Sequence, residues 1–386
     1  MNVRPDRSSR SAAVHLSRVR GCLLGGAIGD ALGNPVEFLS LAAIRRKYGE
    51  RGVTGLVPDG EGVVGRITDD TQMTLFTAEG LIRAHARATG KGIDGAGTAV
   101  LRHAYLRWLD TQNHPAPPAT GVARRAGDTC TGIRTGWLRE QPWLYARRAP
   151  GNACLTGLTH EHVPDPTGEL GGHGPVNPQS KGCGTVMRSA PFGLTGVPAR
   201  QAFELAARCA QITHGHPTGY YAAGAFAAIV ANLLEGDSPE GAVLRAIALL
   251  TRYPGHEEAA AALGSAVELA AGGRPSPEKV ESLGEGWVAE EALAIAVYCL
   301  LAPTADAAQA LLLSVNHSGD SDSTGAVCGN LLGAALGDVG LPPEWLVRTE
   351  GRGVIAEVAD DLWLQFEHGI AGHGGPVHPV ERYPHV

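Results

Sequence analysis

Two apolar segments at opposite ends of the chain carry glycine at every fourth position. In GCLLGGAIGDALG these are Gly25, Gly29 and Gly33, and in STGAVCGNLLGAALG they are Gly325, Gly329 and Gly333. A spacing of four puts each trio on one face of a helix. Every glycine inside a helix costs roughly 1 kcal/mol relative to alanine, so six in register imply that something approaches both backbones closely. The simplest arrangement packs the two helices against each other at the centre of the fold. GAIGDALG is not read as a dinucleotide fingerprint, because no strand precedes it and the flanking pattern is helical.

The rest of the chain agrees with an all-α fold. Hydrophobic residues are 44% of the sequence but aromatics only 5%, and alanine and leucine dominate the apolar runs, which suits closely packed helices better than a sandwich. Apolar spacing of three and four predicts helices over 17–32, 71–88, 98–110, 200–212, 218–234, 239–251, 257–271, 288–301, 305–314, 323–336 and 353–367. Strand signals are nearly absent. A chain of 386 residues could form one large domain or two, but no linker of interdomain character and no fixed-period repeat divides it. Residues 1–15 are expected to be disordered and 371–386 to form a flexible tail. The stretch 111–182, dense in Pro, Gly, Thr and His, reads as a long irregular region, functional or poorly ordered.

Charge and cysteine usage exclude several classes. A net charge of -7 supplies no sequence-wide basic field, so no nucleic-acid partner is expected, although a local basic groove stays open. Seven cysteines, odd in number, scattered and never spaced C-x-x-C, point to reduced thiols. The basic, serine-rich opening makes a poor signal peptide because the apolar run after it is short and holds Asp30. No stretch reaches the roughly 20 apolar residues of a membrane span. A cytoplasmic, monomeric protein without membrane contact is the expectation.

Against that apolar background the run Arg66-Ile67-Thr68-Asp69-Asp70-Thr71-Gln72-Met73 stands out. One reading is an N-cap with acids favourably placed on the helix dipole. The chain repeats the pattern in His317-Ser318-Gly319-Asp320-Ser321-Asp322-Ser323-Thr324, at the mouth of the second glycine-faced helix. Carboxylates and hydroxyls on a short arc are also what hard divalent cations require. Glu37, in GNPVEF, adds a fifth carboxylate. Left unneutralised in one cleft, five acids would repel and raise one another's pKa, so two divalent cations are the economical reading. Spacing alone leaves the capping reading open.

Taken together, GCLLGGAIGDALGNPVEF, ITDDTQM, RRAPGNACLTGL, SKGCGTVMRSAPFGL, ITHGHPTG and NHSGDSDSTGAVCGNLLGA resemble the ADP-ribosylglycohydrolase family. It includes the dinitrogenase-reductase-activating glycohydrolase and the ADP-ribosylarginine and ADP-ribosylserine hydrolases. The resemblance covers about residues 18–340. It implies a single compact multi-helix domain, here 16–370, with a central dinuclear cleft holding two divalent cations, Mg2+ or Mn2+, and receiving ADP-ribose. Thr68, Asp69 and Asp70 match metal ligands on one side of the cleft, and Asp320, Asp322 and Ser323 match those on the other. Ser323 stands where many relatives have threonine and keeps the hydroxyl. Glu37 matches a glutamate that ligates, gates the substrate or assists proton transfer; Asp69 and Asp70 are the other candidates for general base.

By the same resemblance Gly182, Cys183, Gly184, Thr185, Val186 and Met187 face the diphosphate and ribose, where turn amides can donate to phosphate oxygens. Cys183 read without the family is a buried small residue with no redox role. His214 matches a histidine close to ADP-ribose, against the alternative of a helix C-cap. Ser318 and Gly319 are placed at the pocket wall, and Gly151 and Asn152 at its rim, with a purely structural role the alternative for that rim pair. Arg188 is read either as a site residue or as a structural ion-pair partner. The implied activity is hydrolysis of the bond from ribose C1″ to a protein side chain, with the GDSDST form resembling members that act on ADP-ribosylarginine and serine or another acceptor following. The other classes in play are a non-catalytic ADP-ribose-binding member and a metal-dependent phosphohydrolase cutting the pyrophosphate.

Overall fold

Helix α1 (Arg7–Gly33) lies antiparallel to α14 (Ser321–Leu336), and their glycine faces meet. A Cβ on Gly29 would overlap the carbonyl of Gly325, one on Gly25 that of Gly329, and one on Gly333 that of Gly21, which adds a fourth small residue to the α1 seam. Asn330 extends the contact by donating its side-chain amide to the Cys22 carbonyl at 2.7 Å. The expected central pair is therefore present. Its far end matters for chemistry, because Gly33 abuts Ser321 and so delivers the last turn of α1 to the acidic first turn of α14.

The computed structural model describes residues 7–91, 97–117, 136–368 and 382–383. In chain order α2 (Leu41–Tyr48), α3 (Asp69–Lys91), α4 (Gly97–Asn113), α5 (Asn152–Gly157), α6 (Ala190–Gly193), α7 (Ala199–Ala210) and α8 (Pro217–Leu234) follow α1. Then come α9 (Pro239–Leu250), α10 (Glu257–Ala271), α11 (Pro277–Glu281), α12 (Ala289–Leu301), α13 (Ala307–Val315), α14, α15 (Pro343–Leu346) and α16 (Arg352–His368). These form one all-helical domain. Among the described residues the only β pairings are isolated bridges, Pro58 to Val64 and Gly182 to Val288. No helix described is long and apolar enough to cross a membrane.

Every helix expected from apolar spacing is present, with ends shifted by a few residues, and α1 begins earlier, at Arg7. The five not expected, α2, α5, α6, α11 and α15, have eight residues or fewer, too short to display a full apolar period. α2 is instead marked by its cap, since Ser40 Oγ accepts the Ala43 amide at 3.2 Å. At the centre α8 is buried from Pro217 to Leu233 and packs on α7, α9, α12 and α14; alanine and glycine let these axes approach.

Parts of the segments expected to be irregular or mobile, residues 1–6, 118–135 with Cys130, 371–381 and 384–386, lie outside the described residues. Inside the expected tail, Arg382 and Tyr383 are docked on the body. Tyr383 is fully buried and donates to Asp361 Oδ2 at 2.8 Å, and the Arg382 guanidinium lies 4.5 Å from the Trp137 ring centre.

Candidate active site

The α1–α14 contact places Asp30 beneath the start of α3. This carboxylate, fully buried, accepts the Thr68 amide at 2.9 Å, the Thr71 amide at 3.1 Å and the Thr71 hydroxyl at 2.5 Å. It thus caps α3 from another helix, satisfying amides that a local N-cap side chain would otherwise take. The Thr68 hydroxyl accepts the Asp70 amide at 3.4 Å and lies at the same distance from Asp70 Oδ2. Asp69, whose carboxylate accepts its own amide and that of Gly151, and Asp70 line a cavity of about 460 Å³.

Across that cavity Asp320 caps α14, its Oδ1 3.4 Å from the Ser323 amide, while Asp322 Oδ1 takes the same amide at 3.0 Å. The capping reading is correct for this turn, yet it occupies only one oxygen of each carboxylate. Glu37 reaches in from the loop between α1 and α2, and Glu37, Asp320 and Asp322 each place a carboxylate oxygen within 4.8 Å of the others. Asp70 Oδ1, deeply buried, has no hydrogen-bond partner.

Burial pushes the Asp30 carboxyl up to about 7, with the charge of Asp322 adding to it. Glu37 is pushed up to about 11 by burial and then by Asp322, Asp320 and Asp69. Asp69, Asp70 and Asp320 are likewise raised well above the ordinary carboxylate range, burial first and Asp322 next. The wall supplies one cationic side chain, Arg147 at the exposed rim. A cluster of carboxylate oxygens short of positive charge, with one buried oxygen unpartnered, fits hard divalent cations.

Of the residues expected to touch substrate, Gly151, Asn152, Gly182, Cys183, Gly184, Met187 and His214 line the cavity. Gly184 must lack a side chain, since a Cβ would stand 2.6 Å from Cys154 Sγ. His214 is neutral, pushed down to about 3 by burial and then by Arg188, with Nδ1 2.8 Å from the Thr213 hydroxyl. The Gly151 amide faces the Asp69 carboxylate.

Four expected contacts are not on the described wall. Thr185 is buried and donates to the Gly219 carbonyl at 2.8 Å, and Val186 packs in the core. Ser318 lies behind the acidic turn, donating to Glu281 Oε1 at 2.5 Å and accepting the Leu41 amide at 2.9 Å. Gly319 holds φ +112°, and a Cβ there would stand 2.1 Å from the Glu285 carbonyl oxygen, so its place is set by backbone geometry. Arg188 is buried below the floor and, among the described residues, has no carboxylate partner, so the ion-pair reading is not seen there. Its neighbours include the Thr213 hydroxyl at 2.6 Å, Cys154 Sγ at 3.5 Å and the Tyr105 ring at 4.3 Å.

Sequence reasoning missed Asp30, Phe38, Arg147 and Trp287. Asp30 carried a signal, a lone charge in an apolar glycine-faced helix. Phe38 and Trp287 carried none. They stack at the cavity mouth with ring centres 5.3 Å apart, and Phe38 takes φ +66°, a left-handed conformation uncommon for a bulky residue.

Comparison with known proteins identifies the family. A model of the family described as ADP-ribosylglycohydrolase matches residues 11–371. The chain is 27% identical over 348 residues to the ADP-ribosyl-[dinitrogen reductase] glycohydrolase of Rhodospirillum rubrum, covering 88% of this chain and 92% of that one. It is 25% identical over 354 residues to the ADP-ribosylarginine hydrolase Tri1 of Pseudomonas putida strain GB-1, covering 90% and 78%. Among solved structures, an ADP-ribosylglycohydrolase-related protein complex shares the fold with a TM-score of 0.61 at 23% identity, over 92% of this chain and 99% of that one.

Proposed function

The chain belongs to the ADP-ribosylglycohydrolase family, and on that premise we propose that it removes ADP-ribose from modified protein side chains, with ADP-ribosylarginine as the leading substrate. The observation that supports a hydrolytic site most directly is the convergence of Glu37, Asp320 and Asp322 in one cavity with Asp69 and the unpartnered Asp70 Oδ1. The arginine assignment draws on the GDSDST turn and on the likeness to a named ADP-ribosylarginine hydrolase.

In this reading Asp69, Asp70 and Thr68 hold one side of a pair of divalent cations, Mg2+ or Mn2+, and Asp320, Asp322 and Ser323 the other. Bound there, the cations would lower the pKa of a water and orient sugar hydroxyls. Gly182 and Gly184 leave the floor bare so that the diphosphate can approach backbone, with Arg147 at the rim to meet its charge. His214, held neutral, offers a hydrogen bond without adding charge. Glu37 alone among these carboxylates is partly exposed, so it can accept the proton of the attacking water and return it to solvent. The new bond from water oxygen to C1″ forms as the bond from C1″ to the side-chain nitrogen breaks, and the departing nitrogen takes up a proton from solvent in place of the one that Glu37 releases.

The test is release of free ADP-ribose from an arginine-ADP-ribosylated protein with Mg2+, with Mn2+ and after chelation. Cation-dependent release is expected. No release from arginine-linked or serine-linked substrate would leave an ADP-ribose-binding role in its place, and AMP as product would mark a pyrophosphatase.

A further inference from the structure

We propose that Arg148 and Glu350 form a positioning pair that clamps the rim at 147–152 to the acidic turn at 67–70, so that the cation ligands and the rim keep one geometry. The inference rests on the cation reading above and concerns two residues that are not on the cavity wall.

Ile67 directly precedes Thr68, Asp69 and Asp70, and this pair holds both of its backbone groups. Its carbonyl accepts Arg148 Nη1 at 2.5 Å, and its amide donates to Glu350 Oε2 at 3.3 Å. Arg148 Nη1 also donates to Glu350 Oε2 at 2.5 Å and Nη2 to Oε1 at 3.1 Å, a two-pronged contact that fixes the guanidinium plane. Glu350 is itself anchored, since its amide donates to the Gly65 carbonyl at 2.8 Å. Gly65, at φ +79°, lies so close to Arg348 that a Cβ would stand 2.1 Å from that carbonyl oxygen. Three distant segments of the chain therefore meet at the residue that leads into α3.

The rim shows the other half of the clamp. Ala149 takes φ +49°, a left-handed conformation that costs a non-glycine residue about 1–3 kcal/mol and persists only where its surroundings enforce it. Arg148 holds the chain just before that bend, and just after it the Gly151 amide faces the Asp69 carboxylate. Gln72 of α3 secures the preceding residues by donating its side-chain amide to the Ala146 carbonyl at 3.0 Å. The rim is thus stapled to the start of α3 at Gln72, Ile67 and Asp69, with the ionic staple in the middle. The Arg148 and Glu350 side chains are 16% and 25% exposed, sheltered enough for their charges to hold a fixed geometry. Loosening this staple should let the acidic turn and the rim drift apart together.

The experiment compares the full chain with Arg148→Met, Glu350→Gln and, as a matched control, Arg20→Met. Arg20 makes an equally close two-pronged contact with Asp360, at 2.5 and 2.6 Å, but sits about 20 Å along α1 from Gly33. Calorimetry reads Mg2+ affinity in protein stripped of cations and ADP-ribose affinity at saturating Mg2+, and Tm is read in chelator. Arg148→Met and Glu350→Gln should lose about tenfold or more in Mg2+ affinity, and ADP-ribose affinity should fall with it. Arg20→Met should show a comparable loss of Tm with both affinities within about twofold of wild type, because it orients no ligand. Glu350→Gln, which keeps the shape of the side chain, serves if Arg148→Met does not fold. Wild-type affinities in both variants, a fall in one affinity without the other, or a fall matched by Arg20→Met overturns the clamp and leaves the cation reading standing. No Mg2+ binding by the wild type overturns the cation reading and the clamp with it.

Discussion

Thr71 donates its hydroxyl and its amide to Asp30 Oδ2, at 2.5 and 3.1 Å, across 41 positions of sequence. One carboxylate at the end of α1 thereby sets where α3 begins, and with it the direction in which Asp69 and Asp70 face. Asp30→Ala leaves the Thr68 and Thr71 amides buried without an acceptor, which costs about 1–3 kcal/mol for each unsatisfied group. The expected outcome is a loss of a few kcal/mol in urea unfolding and a fall of about tenfold in Mg2+ affinity, the magnitude seen when groups that orient ligands are removed. Asp30→Asn keeps the shape and one acceptor oxygen and should recover most of the stability. Equal behaviour of the two variants would show that the carboxylate does not organise this turn.

The glycine seam makes a separate claim about stability. Gly29→Ala puts a methyl into the Gly325 carbonyl, backbone against backbone, where no rotamer can relieve the overlap. A loss of about 3 kcal/mol or more is expected. Gly264 in α10 has nothing within 4 Å of its missing Cβ, so Gly264→Ala should stabilise by about 0.4–1 kcal/mol. Denaturant midpoints for the two alanine variants should move in opposite directions.

These relationships divide what sequence shows from what it hides. The seam was legible because spacing of four in glycine is a one-dimensional trace of a helix face, and the two acidic turns were legible because each is contiguous. Phe38 and Trp287 form their stack only after the loop following α1 and the turn before α12 converge, and no local pattern marks either. Thr185 and Val186 share a contiguous motif with Gly182, Cys183, Gly184 and Met187, but successive residues of a tight turn point in different directions, so two of the six serve the core. Ser318 and Gly319 fail as cavity residues for the same reason, one turned toward Glu281 and the other fixed by its backbone.

Asp322 is the charge that the neighbouring carboxylates feel most after burial itself. Asp322→Asn removes that charge and one oxygen donor while retaining a side-chain oxygen for the Ser323 amide. Turnover should drop by at least about a hundredfold and Mg2+ affinity by about tenfold or more, with circular dichroism and Tm in chelator equal to or above wild type. Normal activity in this variant would remove Asp322 from the cation site.

The raised carboxyls also fix how stability depends on pH. An acid whose folded pKa lies above its unfolded value keeps its proton in the folded state while the unfolded chain gives it up, so stability falls as pH rises between the two values. For Asp30 the fall runs from about 4 to about 7, and for Glu37 it continues towards about 11. Cations at the carboxylates favour the ionised forms and oppose this loss. Tm in chelator should therefore decline between about pH 5 and about pH 8 through these groups, and the increase produced by saturating Mg2+ should be larger at the higher pH. An increase that is the same at both pH values would mean that the cation binds without neutralising the cluster formed by Glu37, Asp320 and Asp322.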